Sequence, residues 1–326
     1  MFSLPPPAAH TPYDGSSKPF TISTRPLEVK DWIEVDQNLA AYLAEKRRLY
    51  QTCPQQVLVA ETGTGTAQQE VLELLEAHLL KYHSDLYVRH PREGGGPAFL
   101  ATAPFKLKLD PRLRGDDGYE VMFESDLTSS PLARAALLVQ EDLILMRASP
   151  QGWRLVAASL CFPSAWNLLE KFGKPLHEVH GPVPGFGTAT RNATMIDRMF
   201  DNLQPEQPLL RWNWSLHEDD KLHHPTSHSG IESRFGTGDI GGHVFLRVER
   251  QTLRKLPISG DILFTVRIYL DPLEVLETLP EGGKLAQAID QQLTQFSPEQ
   301  ESYKGIVGER QRLSARFKQI AAKNPG

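Results

Sequence analysis

The segments GHVFLRVERQTL (Gly242–Leu253) and DILFTVRIYL (Asp261–Leu270) decide the fold. In the first, Val244, Leu246 and Val248 alternate with Phe245, Arg247 and Glu249; in the second, Ile262, Phe264, Val266, Ile268 and Leu270 make one apolar face. A period of two is the signature of a pleated strand with its faces in different surroundings. PLLRWNWSLH (Pro208–His217) reads as a third strand just upstream. Earlier still, PLARAALLVQEDLILMRA (Pro131–Ala148) passes from helix-like to strand-like, SPQG makes a turn, and WRLVAASLCF (Trp153–Phe162) returns, which predicts a hairpin. Between the hairpin and the three strands lie two helical stretches. These are AWNLLEKF, with Ser164 offered as its N-cap, and ATRNATMIDRMFDNL (Ala189–Leu203).

Two strands, helices, then three strands make an α+β chain with the element order of a PAS-like domain. The expectation is a five-stranded antiparallel sheet with helices over one face and a ligand or cofactor held between them. This core is assigned to residues 131–275, with a proline-rich arm at 1–29, a helical and irregular region at 30–130 packing on the core, and a C-terminal helical extension at 276–326. In the second region, Asp31–Tyr50 and Gln68–Tyr87 carry apolar residues at helical spacing, with His78 and His83 expected at the solvent edge. The intervening ETGTGTAQQE lacks a Gly-Lys-Ser/Thr ending and reads as a loop, not a phosphate cradle. REGGGPAF (Arg92–Phe99) and LRGDDGYE (Leu113–Glu120) carry turn signals without periodicity. In the extension, Ser297, Pro298 and Gln300 supply a cap, a first-turn proline and a capping-box partner.

Composition narrows the function. A chain of 326 residues, 40% hydrophobic and 23% charged, is an ordinary folded chain with room for a substantial core. Its 35 basic against 40 acidic residues give a net charge of -5, which supplies no general field for nucleic acid or anionic membrane. No run reaches the length of a membrane span and the N-terminus lacks a signal-peptide pattern, so a cytoplasmic location is expected. Cys53 and Cys161 are the two cysteines, too few for a four-cysteine iron–sulfur cluster or Cys-rich zinc site within the chain. The Cys53-Pro54 pair is a weak haem-responsive signal.

Two histidine-bearing stretches remain. In GKPLHEVHGPVPGF (Gly173–Phe186), His177 and His180 stand three apart before Gly181, Pro182 and Pro184 break the helix, so both can share a face. They read as a ligand pair, one ligand with a bystander, or helix C-terminal caps. SLHEDDKLHHPTSHS carries His217, Glu218, Asp219, Asp220, His223, His224 and His228, but it lacks His-Glu-x-x-His order and has the composition of a solvated loop. A metal hydrolase built on this run is the weakest of the functional readings.

The phrases SAWNLLEKFGKPLHEVHGPVPG, RWNWSLH and RVERQTLRKLPISGDILFTVRIYL, with QEDL at Gln140–Leu143, resemble in this order the alpha-subunit-like family of haem-dependent oxidative N-demethylases. The resemblance spans roughly residues 30 to 280. It implies haem b, held without a covalent link, and oxygen-dependent removal of a methyl group from a small secondary amine with release of formaldehyde. The absence of a Cys-x-x-Cys-His motif agrees with noncovalent haem. The resemblance also implies that electrons come from partner reductase proteins carrying FMN, an iron–sulfur cluster and NADPH. His180, in the matching His-Gly-Pro-Val-Pro phrase, becomes the axial-ligand candidate, with His217 second and His177 facing water or supporting its neighbour. Arg211 and Arg250 are candidates for the propionates, Trp214 for the pocket wall, and Glu249 for neutralising the substrate ammonium or an adjacent arginine. The rival reading is a non-catalytic PAS-like haem sensor or carrier.

Overall fold

The three strands anticipated after residue 208 form because their β-branched and aromatic residues fill two covered sheet faces. The structure, a computed structural model, describes residues 8–91, 97–101, 130–227, 234–238, 240 and 243–324. LRGDDGYE, most of the REGGGP turn and His228 lie outside the described residues.

In chain order, β1 (Arg25–Pro26) precedes α1 (Leu39–Thr52), α2 (Pro54–Val57), β2 (Leu58–Ala60) and α3 (Gly65–Tyr82). The small hairpin β3 (Tyr87–Pro91) and β4 (Pro97–Ala101) follows, then α4 (Pro131–Ala136). The anticipated hairpin is β5 (Asp142–Ser149) and β6 (Gly152–Ser159); Gly152 at its turn has φ 100°, a conformation that glycine adopts without penalty. Next come α5 (Leu168–Lys171), α6 (Leu176–Val179), α7 (Arg191–Asp201), and the strands β7 (Leu209–His217), β8 (Phe245–Lys255) and β9 (Ile262–Pro272). The chain closes with α8 (Val275–Thr278), α9 (Gly282–Thr294), α10 (Pro298–Lys304) and α11 (Arg310–Lys323).

The sheet has seven antiparallel strands in the order β1-β7-β8-β9-β5-β6-β2, where five were expected. The two additions are edge strands of two and three residues, too short to leave a periodic trace in the sequence. Helices cover both faces, and the terminal regions supply one whole layer. Leu143, Leu145, Val156 and Leu263 pack with Leu43, Val71 and Leu75 of the N-terminal helices. On the same side, Leu246 and Val248 pack with Ile289, Leu313 and Phe317 of the C-terminal helices. Each such side chain contributes about 1.5–3 kcal/mol when fully buried. The opposite face carries Ile144, Met146, Leu155 and Leu253 beneath Leu168, Leu176, Phe186 and Phe200.

The QEDL stretch ties these layers together. Gln140 and Asp36 exchange hydrogen bonds at 2.9 and 3.1 Å, and the Asp142 carboxylate accepts the backbone N–H groups of Cys161 and Phe162, both at 2.8 Å. Lys46, reaching in from α1, donates to the carbonyls of Ala136, Val139 and Glu141.

Two local expectations are corrected. Ser164 does not cap the next helix; Asn167 does, its side-chain oxygen accepting from Leu169 N at 2.8 Å. His78 is buried against Trp32 and Tyr82 instead of facing solvent, and neither ring nitrogen has a hydrogen-bond partner among the described residues. Burial lowers its pKa to about 4, with His83, Arg254 and Lys81 adding to the effect. The unfolded chain therefore takes up this proton first as pH falls, and stability is lost between about pH 6.5 and about pH 4. In His78→Phe, urea denaturation across that window should show a shallower loss of stability than in the wild type; an unchanged slope would contradict the assignment.

Close approach of α8, α9 and α11 requires two glycines. A Cβ on Gly283 would stand 1.5 Å from the Asn324 carbonyl oxygen, and one on Gly282 1.8 Å from that of Leu276. Both obstacles are backbone. Gly283→Ala is expected to cost about 1–3 kcal/mol, the range of overpacking, read as a lower urea midpoint.

Candidate functional site

The face of the sheet under α5, α6 and α7 does not close tightly. It bounds a cavity of ≈ 1150 Å³ walled by Ile144, Met146, Leu155, Phe186, Phe264 and Val266. β7 and β8 turn their odd-numbered residues toward it: Arg211, Asn213, Ser215 and His217 from one, Glu249, Gln251 and Leu253 from the other. Paired residues Asn213 and Glu249 face each other across the ladder, and Glu249 accepts from Asn213 Nδ2 at 3.2 Å and Gln251 Nε2 at 2.7 Å. Arg247 Nε lies 3.9 Å from the other carboxylate oxygen.

The break after α6 separates the two histidines. His180 is the C-cap, its N–H donating to Leu176 O at 2.8 Å and its carbonyl accepting Val183 N at 2.8 Å, so the prolines turn the chain back over the cavity. The imidazole lines the cavity, and burial, aided by Arg211 and Lys171, lowers its pKa to about 4. The ring is therefore neutral near pH 7, the form with a lone pair for a metal. His177 is 28% exposed, lies 4.0 Å from Glu178 and is not among the cavity-lining residues.

His217 also lines the cavity, at the end of β7, with Nε2 3.1 Å from Ser164 Oγ and its ring 4.7 Å from that of His224. His223 Nδ1 contacts Cys161 O at 2.7 Å, and His224 Nε2 contacts Asp219 at 3.1 Å. Among the described residues, no three His, Cys, Asp or Glu side chains are grouped to hold a metal ion.

Of the residues singled out in the sequence, the fold brings His180, Arg211, His217 and Glu249 to this one cavity. It turns Arg250 and Trp214 to the opposite face, because each is even-numbered on a strand whose odd positions face the cavity. Arg250 donates to Trp32 O at 2.9 Å and to Asp31 O, and pairs with Glu34 at 2.8 Å, tying the N-terminal region to the sheet. Trp214 packs beneath the C-terminal helices, with Tyr13 edge-on at 6.1 Å.

Three further groups complete the polar side. Lys171, at the end of α5, lies 4.1 Å from the Trp166 ring centroid, and burial lowers its pKa to about 8 against the opposing pull of Glu249 and Glu170. Lys304, from α10, donates to Trp214 O at 2.5 Å and Asn213 Oδ1 at 3.3 Å; its pKa is likewise lowered to about 8 by burial. Tyr303 beside it is raised to about 12, by burial first and then by Glu249. The C-terminal extension thus contributes to the cavity. The Ser297–Gln300 capping box that positions α10 was visible in the sequence, but nothing there indicated where the helix would dock.

A sheet and its helical cover enclosing a large, mainly apolar cavity, with a neutral imidazole and several cations in the wall, define an α+β protein whose cavity suits a largely apolar ligand that carries negative charge. The chain belongs to the haem-dependent oxidative N-demethylase, alpha subunit-like family, whose model matches residues 23–313. The match reaches past the sheet to include α10, and hence Tyr303 and Lys304.

The cavity residues fit the haem that the family's name specifies. Apolar side chains suit the macrocycle, His180 offers an unprotonated nitrogen, and Arg211 carries a buried Nε with no hydrogen-bond partner among the described residues. An unsatisfied guanidinium donor at a cavity wall is what a ligand carboxylate would satisfy. Among the described residues no helix is long and apolar enough to cross a membrane.

Proposed function

We propose that this chain is the haem-binding catalytic subunit of an oxidative N-demethylase acting on a small secondary amine. The observation that carries the reading is the convergence of His180, Arg211 and Glu249 on one cavity large enough for a macrocycle. The five central strands, β6-β5-β9-β8-β7, with α5 to α7 over the cavity face, support the PAS-like description of the core.

His180 would hold the iron, fixed by the turn that its own carbonyl closes. Arg211 and Lys171 would meet the propionates, with Lys171 taking the place first given to Arg250. Haem b bound there supplies dioxygen activation for oxidising an N-methyl carbon, which leaves as formaldehyde. Glu249, held by Asn213 and Gln251, would pair with the substrate ammonium and orient its methyl group. The apolar walls exclude bulk water from the reacting amine. Electrons would come from separate proteins carrying FMN, an iron–sulfur cluster and NADPH.

The test is formaldehyde release from dimethylamine by hemin-loaded protein supplied with a reductase, NADPH and oxygen. Formaldehyde formed in step with NADPH use supports the reading; a Soret band without turnover would favour a sensor or carrier. With NADPH alone and no reductase, no steady turnover is expected. Glu249→Gln should raise KM for the amine by about 10–100-fold, the scale of a lost charged hydrogen bond, with hemin affinity preserved. An unchanged KM would remove Glu249 from the amine site.

A further inference from the structure

We propose that residues 16–24 form a strap that gates the cavity, with Phe20 as the gating side chain. The strap is tethered at both ends and, among the described residues, makes no other hydrogen bond to the body. At one end Tyr13 is fully buried, its carbonyl accepting Gln292 Nε2 at 3.0 Å, and Gly15 turns the chain at φ 87°. At the other, β1 pairs Arg25 and Pro26 with Leu210 and Leu209. Between these tethers the hydrogen bonds are internal: Ser16 N to Asp14 Oδ1, Thr21 Oγ1 to Lys18 O, and Thr21 with Ser23.

What holds the strap down is apolar contact by Phe20 and Ile22, both of which line the cavity. The Phe20 ring stands 5.7 Å from those of Phe296 and Tyr303 and 5.5 Å from Lys304 Nζ, so it touches α10, which forms that side of the cavity. Phe20 also bridges the hydrophobic clusters on the two sides of the sheet. Its backbone has φ 57°, in the left-handed region that a bulky side chain rarely occupies. Ring insertion favours the closed strap, while relief of this backbone strain and the lack of hydrogen bonds to break favour opening. A segment so balanced behaves as a lid.

A gate lowers or raises the barrier in both directions, whereas a wall contact changes only how long the ligand stays. Hemin uptake is measured by stopped flow and release by transfer to excess apomyoglobin, in wild type and Phe20→Ala; the choice of hemin rests on the proposed function. Both rates should rise by about 10-fold or more in Phe20→Ala while their ratio stays within about 3-fold, and Phe20→Leu should recover most of the difference. Unchanged rates, or a rise in release alone, would overturn the gate. If wild type takes up no hemin, the haem reading fails. The strap is then tested by the same rates and criteria with 1-anilinonaphthalene-8-sulfonate, an apolar anion matched to this cavity. Should Phe20→Ala fail to fold, Ile22→Ala, which removes the strap's other anchor, is measured in its place with the same outcomes decisive.

Discussion

His180→Ala should lower hemin affinity by about 100-fold or more and change the ferric spectrum, since loss even of a residue that only supports a metal ligand costs about 10–100-fold. His180 is held by the backbone turn through Leu176 and Val183, and its ring sits neutral in the cavity. His177→Ala should leave the Soret band in place, because that side chain lies outside the cavity. Apolar walls and propionate contacts would retain some hemin in His180→Ala, so the iron's coordination spectrum must be recorded along with occupancy. An unchanged spectrum and full occupancy in His180→Ala, with both lost in His217→Ala, would transfer the ligand role to the end of β7.

Lys46→Ala should destabilise the fold by about 3–5 kcal/mol, the scale for removing one partner from a buried charged network. The side chain is fully buried, and its ammonium serves three carbonyls at the junction of α4 and β5. Burial pushes its pKa down, and the nearby Asp142 is the largest of the charges opposing this. Alanine would leave the three acceptors without their donor and open a void where α1 meets the sheet. Lys46→Met, which fills the void but satisfies no carbonyl, should fall between. The urea midpoint measures both; a loss below about 1 kcal/mol for Lys46→Ala would show that water replaces the ammonium.

The strands after residue 208 and the hairpin before residue 160 were legible because alternation is local, and so was the capping box at Ser297. The edge strands were not, since two or three residues carry no period. Arg250 and Trp214 face away from the cavity that Glu249 and Arg211 line, and strand parity alone implies this. Neighbours on a strand point to opposite faces, so Glu249 and Arg250 could not both face one cavity, nor could Arg211 and Trp214, three apart. Lys171, Tyr303 and Lys304 are a different matter. Their place depends on how short helices dock against the sheet, which no spacing within those helices encodes. His78 was assigned to the surface on its residue type, and tertiary packing against Trp32 prevailed.

The central claim is that one cavity in this chain holds one haem. Titrating hemin into the purified protein while following the Soret band tests it most directly, alongside Leu155→Trp, which fills the cavity from its sheet wall. The account predicts saturation at one hemin per chain in the wild type and loss of that saturable binding in a folded Leu155→Trp. A titration with no end point, or one identical in the two proteins, would contradict it.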